Sequence, residues 1–332
     1  MRDRLARCHG LVELSCLCCR LCGKPVERIQ ALEQRGSLAM TRVVVVHGIG
    51  QEFLGPELMA LQVGPALRDG VRLAGGLRLE PENVTCAFYG NLYFADGTRS
   101  LDLPPWDETD VEDGLEAELL EAWWEQAAQV EPEVLGPGAA GARGPLGFGA
   151  SRLLLSERVR AALDALSGSR FFAKVSDRLL IFALKQVRRY MTEPELKHQA
   201  QARIAEVITD ETRVLVAHSL GSVVAYEALC AHPEWPITEF ITLGSPLGMR
   251  SVVFDRLQPR PVDGAGSWPG AVERWTNIAD RGDIVALADR LAPRFGDRVQ
   301  DVSISNGMQM HDLTRYLTAP STGRAVARGL EG

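Results

Sequence analysis

Residues 213–229 read RVLVAHSLGSVVAYEAL. A β-branched, apolar run leads into a His-Ser-Leu-Gly turn, and apolar residues at helical spacing follow. Such a serine could simply cap the helix, or it could be a nucleophile held on a sharp strand-to-helix turn. The setting favours the nucleophile. Small residues two before and two after the serine, Ala217 and Gly221, let strand and helix approach each other. The helix beginning there also aims free N–H groups and its positive dipole end at Ser219.

Working outward, TRVVVVHGIGQ (41–51) is a β-branched run ending in glycines, which predicts a strand buried on both faces. GPELMALQVGPALRDGVRL has helical spacing after Pro56, and NVTCAFYGNLYF (83–94) again predicts a strand. This β-α-β opening predicts an α/β, doubly wound, mostly parallel sheet. Residues 97–195 carry little strand signal. Three apolar-striped segments, VEDGLEAELLEAWWEQAAQ, SRLLLSERVRAALDAL (151–166) and SDRLLIFALKQVRRYM (176–191), predict a helical cap insertion. Its apolar Leu179, Leu180, Ile181, Phe182 and Leu184 lie beside basic Lys185, Arg188 and Arg189. They suggest a cap over the site that selects acyl length, the plain alternative being a stripe packed onto a neighbouring helix; nothing in the segment amounts to a membrane anchor. Between these helices Gly136 to Gly141 spell GxGxxG, but no strand precedes them and Pro137 occupies the turn, so no dinucleotide site is expected. A helix over 193–209 returns the chain to the sheet. Beyond the serine, SVVAYEALCAH predicts a helix, and EFITLGSP, RWTNIAD and VQDVSIS predict strands.

With 332 residues, 46% apolar and 24% charged, the chain has the composition of a globular protein with ample core. The formal charge of -7 argues against nucleic-acid binding, and no apolar run is long enough to span a bilayer. Five of the seven cysteines fall in CHGLVELSCLCCRLC, between Cys8 and Cys22. A zinc site would need a second ligand pair at a distance, and none is evident, so no metal is expected. Residues 1–39 therefore read as a Cys-rich tail outside the fold, and 40–332 as the folded domain. Only Cys86 and Cys230 remain, which suits a reducing, cytoplasmic setting.

A serine needs a base, and elbow enzymes supply partners in the chain order serine, acid, histidine. Of six histidines, His9, His47, His198 and His218 precede Ser219, and His232 closes the following helix. His311, in NGMQMHDLTRYL after the last strand, is the candidate base. The acid should lie beyond a strand end between them, where RWTNIADRGDIVAL offers Asp280 and Asp283. Asp280 could instead hold its own turn; Asp283, where the chain folds back into the core, is preferred. Two backbone N–H groups would form an oxyanion hole: Leu220, after the nucleophile, and Ile49, in the glycine turn of the first strand. His47, Gly48, Gly50 and His218 flank these turns and are expected to form the substrate-binding surface.

Together VVVVHGIGQ, VAHSLGSVVAYEAL, ITLGSPLG, NIADRGDIVAL and MHDLTRYL resemble the α/β-hydrolase superfamily, most of all its bacterial serine esterase and lipase-like members. The resemblance implies Ser219 as nucleophile, Asp283 as acid, His311 as base, and Ile49 and Leu220 as oxyanion donors. It implies hydrolysis of a small-molecule or lipid-like acyl ester through an acyl-enzyme, without cofactor or metal. The insertion precedes the nucleophile strand, whereas many members carry theirs after it. The same triad would serve an acyltransferase, thioesterase or peptidase, and a non-catalytic binding protein could share the scaffold.

Overall fold

The computed structural model describes residues 41–75, 78–94, 103–139, 152–172, 175–286 and 289–331. The Cys-rich segment and most of the Gly/Pro/Ala loop lie outside them. Six strands, β1 (Val43–Val46), β2 (Val84–Ala87), β3 (Val214–His218), β4 (Glu239–Leu243), β5 (Arg274–Asp280) and β6 (Val299–Ile304), form one parallel sheet in the order β2-β1-β3-β4-β5-β6. β1, β3 and β4 are buried at every position, because helices cover both faces.

On one face lie α1 (Pro56–Leu73), α8 (Leu313–Thr318) and α9 (Pro320–Glu331). Met59, Leu67, Tyr316 and Val326 from these helices meet Val43, Val45, Val216 and Ile241. Glycine sets the spacing between the helices. A Cβ on Gly70 would stand 2.1 Å from the Leu317 carbonyl oxygen, and one on Gly323 would stand 2.0 Å from that of Gly70. The opposite face carries α6 (Leu220–Ala231) and a helical layer inserted between β2 and β3. That layer comprises α2 (Leu115–Val130), α3 (Arg152–Ser167), α4 (Asp177–Thr192) and α5 (Pro194–Ala205). The one-turn α7 (Ala292–Phe295) precedes β6.

Buried charges tie the inserted helices together and to the sheet domain. Glu116 of α2, fully buried, accepts from Arg188 Nε at 2.7 Å and Lys185 Nζ at 3.3 Å on α4. Glu227 of α6 accepts from the Tyr190 hydroxyl of α4 at 2.7 Å and Lys197 Nζ of α5 at 2.8 Å. Arg189 pairs with Glu193. The basic residues beside the apolar stripe of α4 thus form ion pairs within the protein.

The strand expected over 83–94 is shorter than its composition suggested. It ends at Ala87, and Gly90–Tyr93 forms a 3₁₀ turn. Tyr89 leaves the ladder to stack on the His47 ring, with centroids 4.3 Å apart. Gly90 packs so near the Glu52 backbone that a Cβ would lie 2.7 Å from the Glu52 Cα. Tertiary contacts with the turn after β1 thus override local β preference. The helix expected over 193–209 likewise ends at Ala205.

Because β2 and β3 lie on opposite sides of β1, the connections leaving β1 and β2 run in opposite directions across the sheet. The crevice outside the carboxyl ends of β1 and β3 is therefore a topological switch point, where open α/β sheets bind ligands.

Candidate active site

Ser219 sits at that crevice, between β3 and α6, with φ 53° and ψ -133°. Among the described residues only Asp263 is another non-glycine residue at positive φ. Holding a serine there costs about 1–3 kcal/mol, which the surrounding packing must supply. The neighbouring glycines are sterically required. A Cβ on Gly221 would lie 2.1 Å from the His47 carbonyl oxygen, and one on Gly48 would lie 2.4 Å from the Ser219 Cβ. The glycines therefore let the serine and the turn after β1 approach each other closely.

The Ser219 Oγ lies 2.9 Å from His311 Nε2, and His311 Nδ1 lies 2.7 Å from Asp283 Oδ2. Three residues spread over 93 positions of chain converge on one hydrogen-bonded line. Asp283 is 2% exposed and its carboxylate is saturated. Oδ1 accepts from the Val285 N–H at 3.0 Å and the Ala286 N–H at 3.3 Å, while Oδ2 also accepts from the Tyr316 hydroxyl at 2.7 Å. An acceptor so fixed requires its imidazole partner to carry the proton on Nδ1, leaving Nε2 free to accept from the serine.

Asp280, the other candidate, performs the turn-holding role. Its carboxylate accepts from the Gly282 N–H at 2.8 Å and from the Asn306 N–H, and does not reach His311. Tyr316 joins the two aspartates, because its hydroxyl accepts from the Asp280 N–H at 2.8 Å while donating to Asp283. Burial, with the Asp283 charge beside it, pushes the Tyr316 phenol far above its ordinary value, so it remains a donor. Gly244, at φ +53°, ends β4 beneath this network, and a Cβ there would lie 2.7 Å from Asp283 Oδ2 and 3.0 Å from His311 Nδ1. Neither residue stood out in the sequence. Tyr316 falls five residues after His311 on the next helix, and Gly244 is one glycine in LGSP.

Among the described residues neither the Ile49 N–H nor the Leu220 N–H has a hydrogen-bond acceptor. Both residues line a cavity of about 330 Å³ whose wall also includes Ser219 and His311. The remaining wall is nearly all apolar. Trp123 of α2, Leu180, Phe182 and Ala183 of α4, and Phe171 and Phe172 between α3 and α4 are among its residues. Glu131 organises the Phe171 turn. Its buried carboxylate accepts from Ser169 Oγ at 2.9 Å and from the N–H groups of Arg170 at 2.7 Å and Phe171 at 3.2 Å. The Phe171 ring then lies 6.1 Å from that of His311.

Gly50 lines the cavity, but His47, Gly48 and His218, expected on the substrate surface, do not. His47 and His218 are 1% and 2% exposed, because each lies at a strand end beneath the turn that follows it. Burial lowers the His47 pKa to about 4, opposed by its bond to the Gly48 carbonyl. Burial, reinforced by neighbouring His311, holds His218 well below the ordinary histidine value. Both rings are therefore neutral. His218 lies against the His311 ring at 4.5 Å between centroids.

Among the described residues no group of three or more His, Cys, Asp or Glu side chains could hold a metal ion, and no helix is long and apolar enough to cross a membrane. Compared with protein-family models, with curated proteins and with solved structures, the chain matches none.

Proposed function

We propose that this protein is a serine hydrolase of the α/β-hydrolase class. Within that class, the reading its site supports best is a carboxylic ester hydrolase acting on apolar acyl esters. One observation carries it: the unbroken line from Ser219 Oγ through His311 to Asp283, at 2.9 and 2.7 Å. The strained elbow and the chain order serine, aspartate, histidine support the class, as does an open N–H in the loop after a neighbouring strand.

In this reaction Ser219 Oγ attacks the ester carbonyl carbon while His311 Nε2 takes its proton, and Asp283 stabilises the imidazolium. The carbonyl oxygen becomes an oxyanion facing the Ile49 and Leu220 N–H groups, which have no competing acceptor in the protein. Collapse breaks the ester C–O bond, and His311 Nε2–H protonates the departing alkoxide. Water, deprotonated in turn by His311, attacks the acyl-enzyme; collapse of this second intermediate releases the acid, and His311 returns the proton to Ser219 Oγ.

The apolar cavity supports an uncharged acyl or alkyl group as the recognised portion, and the α2 and α4 residues in its wall make the inserted helices a cap that limits chain length. Filling the cavity with Ala183→Trp should move the preference to shorter esters. Octanoate kcat/KM is expected to fall about tenfold or more, with acetate nearly unaffected. A panel of p-nitrophenyl esters from acetate to palmitate checks this, and an unchanged chain-length profile would remove the cap assignment. Fluorophosphonate labelling, with the modified peptide identified by mass spectrometry, tests the class itself. Label on Ser219 is expected, and an unlabelled protein would overturn it.

A further inference from the structure

The turn joining β1 to α1, residues 47–52, is clamped from both sides of Ile49 by buried side chains that none of the chemistry above uses. His47 Nε2 accepts from the Tyr89 N–H at 3.1 Å, so its proton lies on Nδ1, which donates to the Gly48 carbonyl at 2.8 Å. That carbonyl and the Ile49 N–H belong to one peptide plane and point in opposite directions. Holding the oxygen therefore aims the N–H. The Tyr89 hydroxyl fixes the preceding plane by donating to the His47 carbonyl at 2.9 Å.

The plane after Ile49 is held by Glu52, whose Oε2 accepts from the Gly50 N–H at 2.7 Å. Glu52 is 4% exposed, lines the otherwise apolar cavity, and pairs with no cation among the described residues. A carboxyl group buried without a cation carries a desolvation cost, which its hydrogen bonds to the turn offset in part. Gly50, at φ +87°, allows the chain to curl back so that residue 52 reaches residue 50.

We infer that Glu52 and His47 are positioning residues for the oxyanion hole, pinning the two peptide planes on either side of Ile49 so that its N–H meets the developing oxyanion. This rests on the serine-hydrolase reading above. Burial raises the Glu52 carboxyl above its usual range, toward the uncharged form, which lessens its repulsion of a nearby oxyanion.

The experiment separates transition-state from ground-state effects. Octyl trifluoromethyl ketone adds to a serine reversibly: the Oγ–C bond forms, the carbonyl π pair becomes an oxyanion, and the serine proton passes to histidine. Its Ki therefore reads the oxyanion hole, while KM for the ester reads ordinary binding. Glu52→Leu, which suits the apolar wall, should lower kcat about 10- to 100-fold and raise Ki by a similar factor, with KM changed less than about threefold. Glu52→Gln keeps an oxygen for the Gly50 N–H and should restore kcat and Ki to within about threefold of the parent. His47→Phe, which keeps the stack on Tyr89 but loses the bond to Gly48, should act like Glu52→Leu and serves if that variant does not fold. Parental kcat and Ki in Glu52→Leu or His47→Phe, a rise in KM alone, or an equal loss in Glu52→Gln would each overturn the inference. If the parent protein is itself unlabelled by fluorophosphonate, the underlying reading fails instead, and the two failures are distinct.

Discussion

Replacing Ser219 by alanine is expected to abolish ester hydrolysis, lowering kcat by about 10⁴- to 10⁶-fold, and to eliminate fluorophosphonate labelling. The hydroxyl is the only nucleophile on the line of hydrogen bonds that runs through His311 to Asp283. With the oxygen gone, any residual rate would come from binding and the two open N–H groups alone. The fold should survive, because among the described residues the Ser219 side chain bonds only to His311 and the turn is held by its backbone. Ser219→Gly adds a second readout. Glycine adopts φ 53° without strain, so this equally inactive variant should melt higher than Ser219→Ala, by about 1 kcal/mol of stability. Circular dichroism melts alongside the kinetics check both statements. A Ser219→Ala protein that hydrolysed esters at the parental rate would remove the proposed function.

Asp283→Asn is expected to cost about 10⁴-fold in kcat, even though the substitution is nearly isosteric. The reason lies in the four bonds on this carboxylate. Its Oδ1 accepts from two backbone N–H groups, at Val285 and Ala286, so an asparagine would keep its oxygen there. The amide NH₂ would then face His311 Nδ1 and the Tyr316 hydroxyl. A donor opposite Nδ1 forces the imidazole proton onto Nε2, the tautomer that cannot take a proton from Ser219. Asp280→Asn gives the contrasting result. Its carboxylate bonds to the N–H groups of Gly282 and Asn306, so the expected loss is about 1 kcal/mol of stability with kcat within tenfold of the parent. Equal kinetic losses in the two variants would mean that the acid is wrongly assigned.

The sequence made the elbow legible because its requirements are local. A buried strand needs β-branched residues, the turn needs small ones, and the helix needs apolar spacing, all within RVLVAHSLGSVVAYEAL. His311 and Asp283 were reachable by chain order. The preference for Asp283 over Asp280 rests on its place before the apolar IVAL, whereas which carboxylate faces the ring is decided by the fold. Tyr316, Glu52 and Gly244 were not legible, because each matters only through a neighbour remote in the chain or through a curl of the turn. The misplacement of His47 and His218 has the same origin. A histidine beside a glycine turn looks solvent-facing until the neighbouring strand and the Tyr89 and His311 rings close over it.

Sequence alone thus determined the layered α/β character, the serine on its turn and the helical nature of the insertion, since short-range periodicity and sterics dictate all three. Tertiary structure alone decided the strand order, the convergence of residues 219, 283 and 311 at the switch point, and the apolar wall that the inserted helices raise over them. Hydrogen bonds of 2.7 to 2.9 Å between distant residues arise only when the packing of whole helices and strands fixes side-chain positions to a fraction of an ångström.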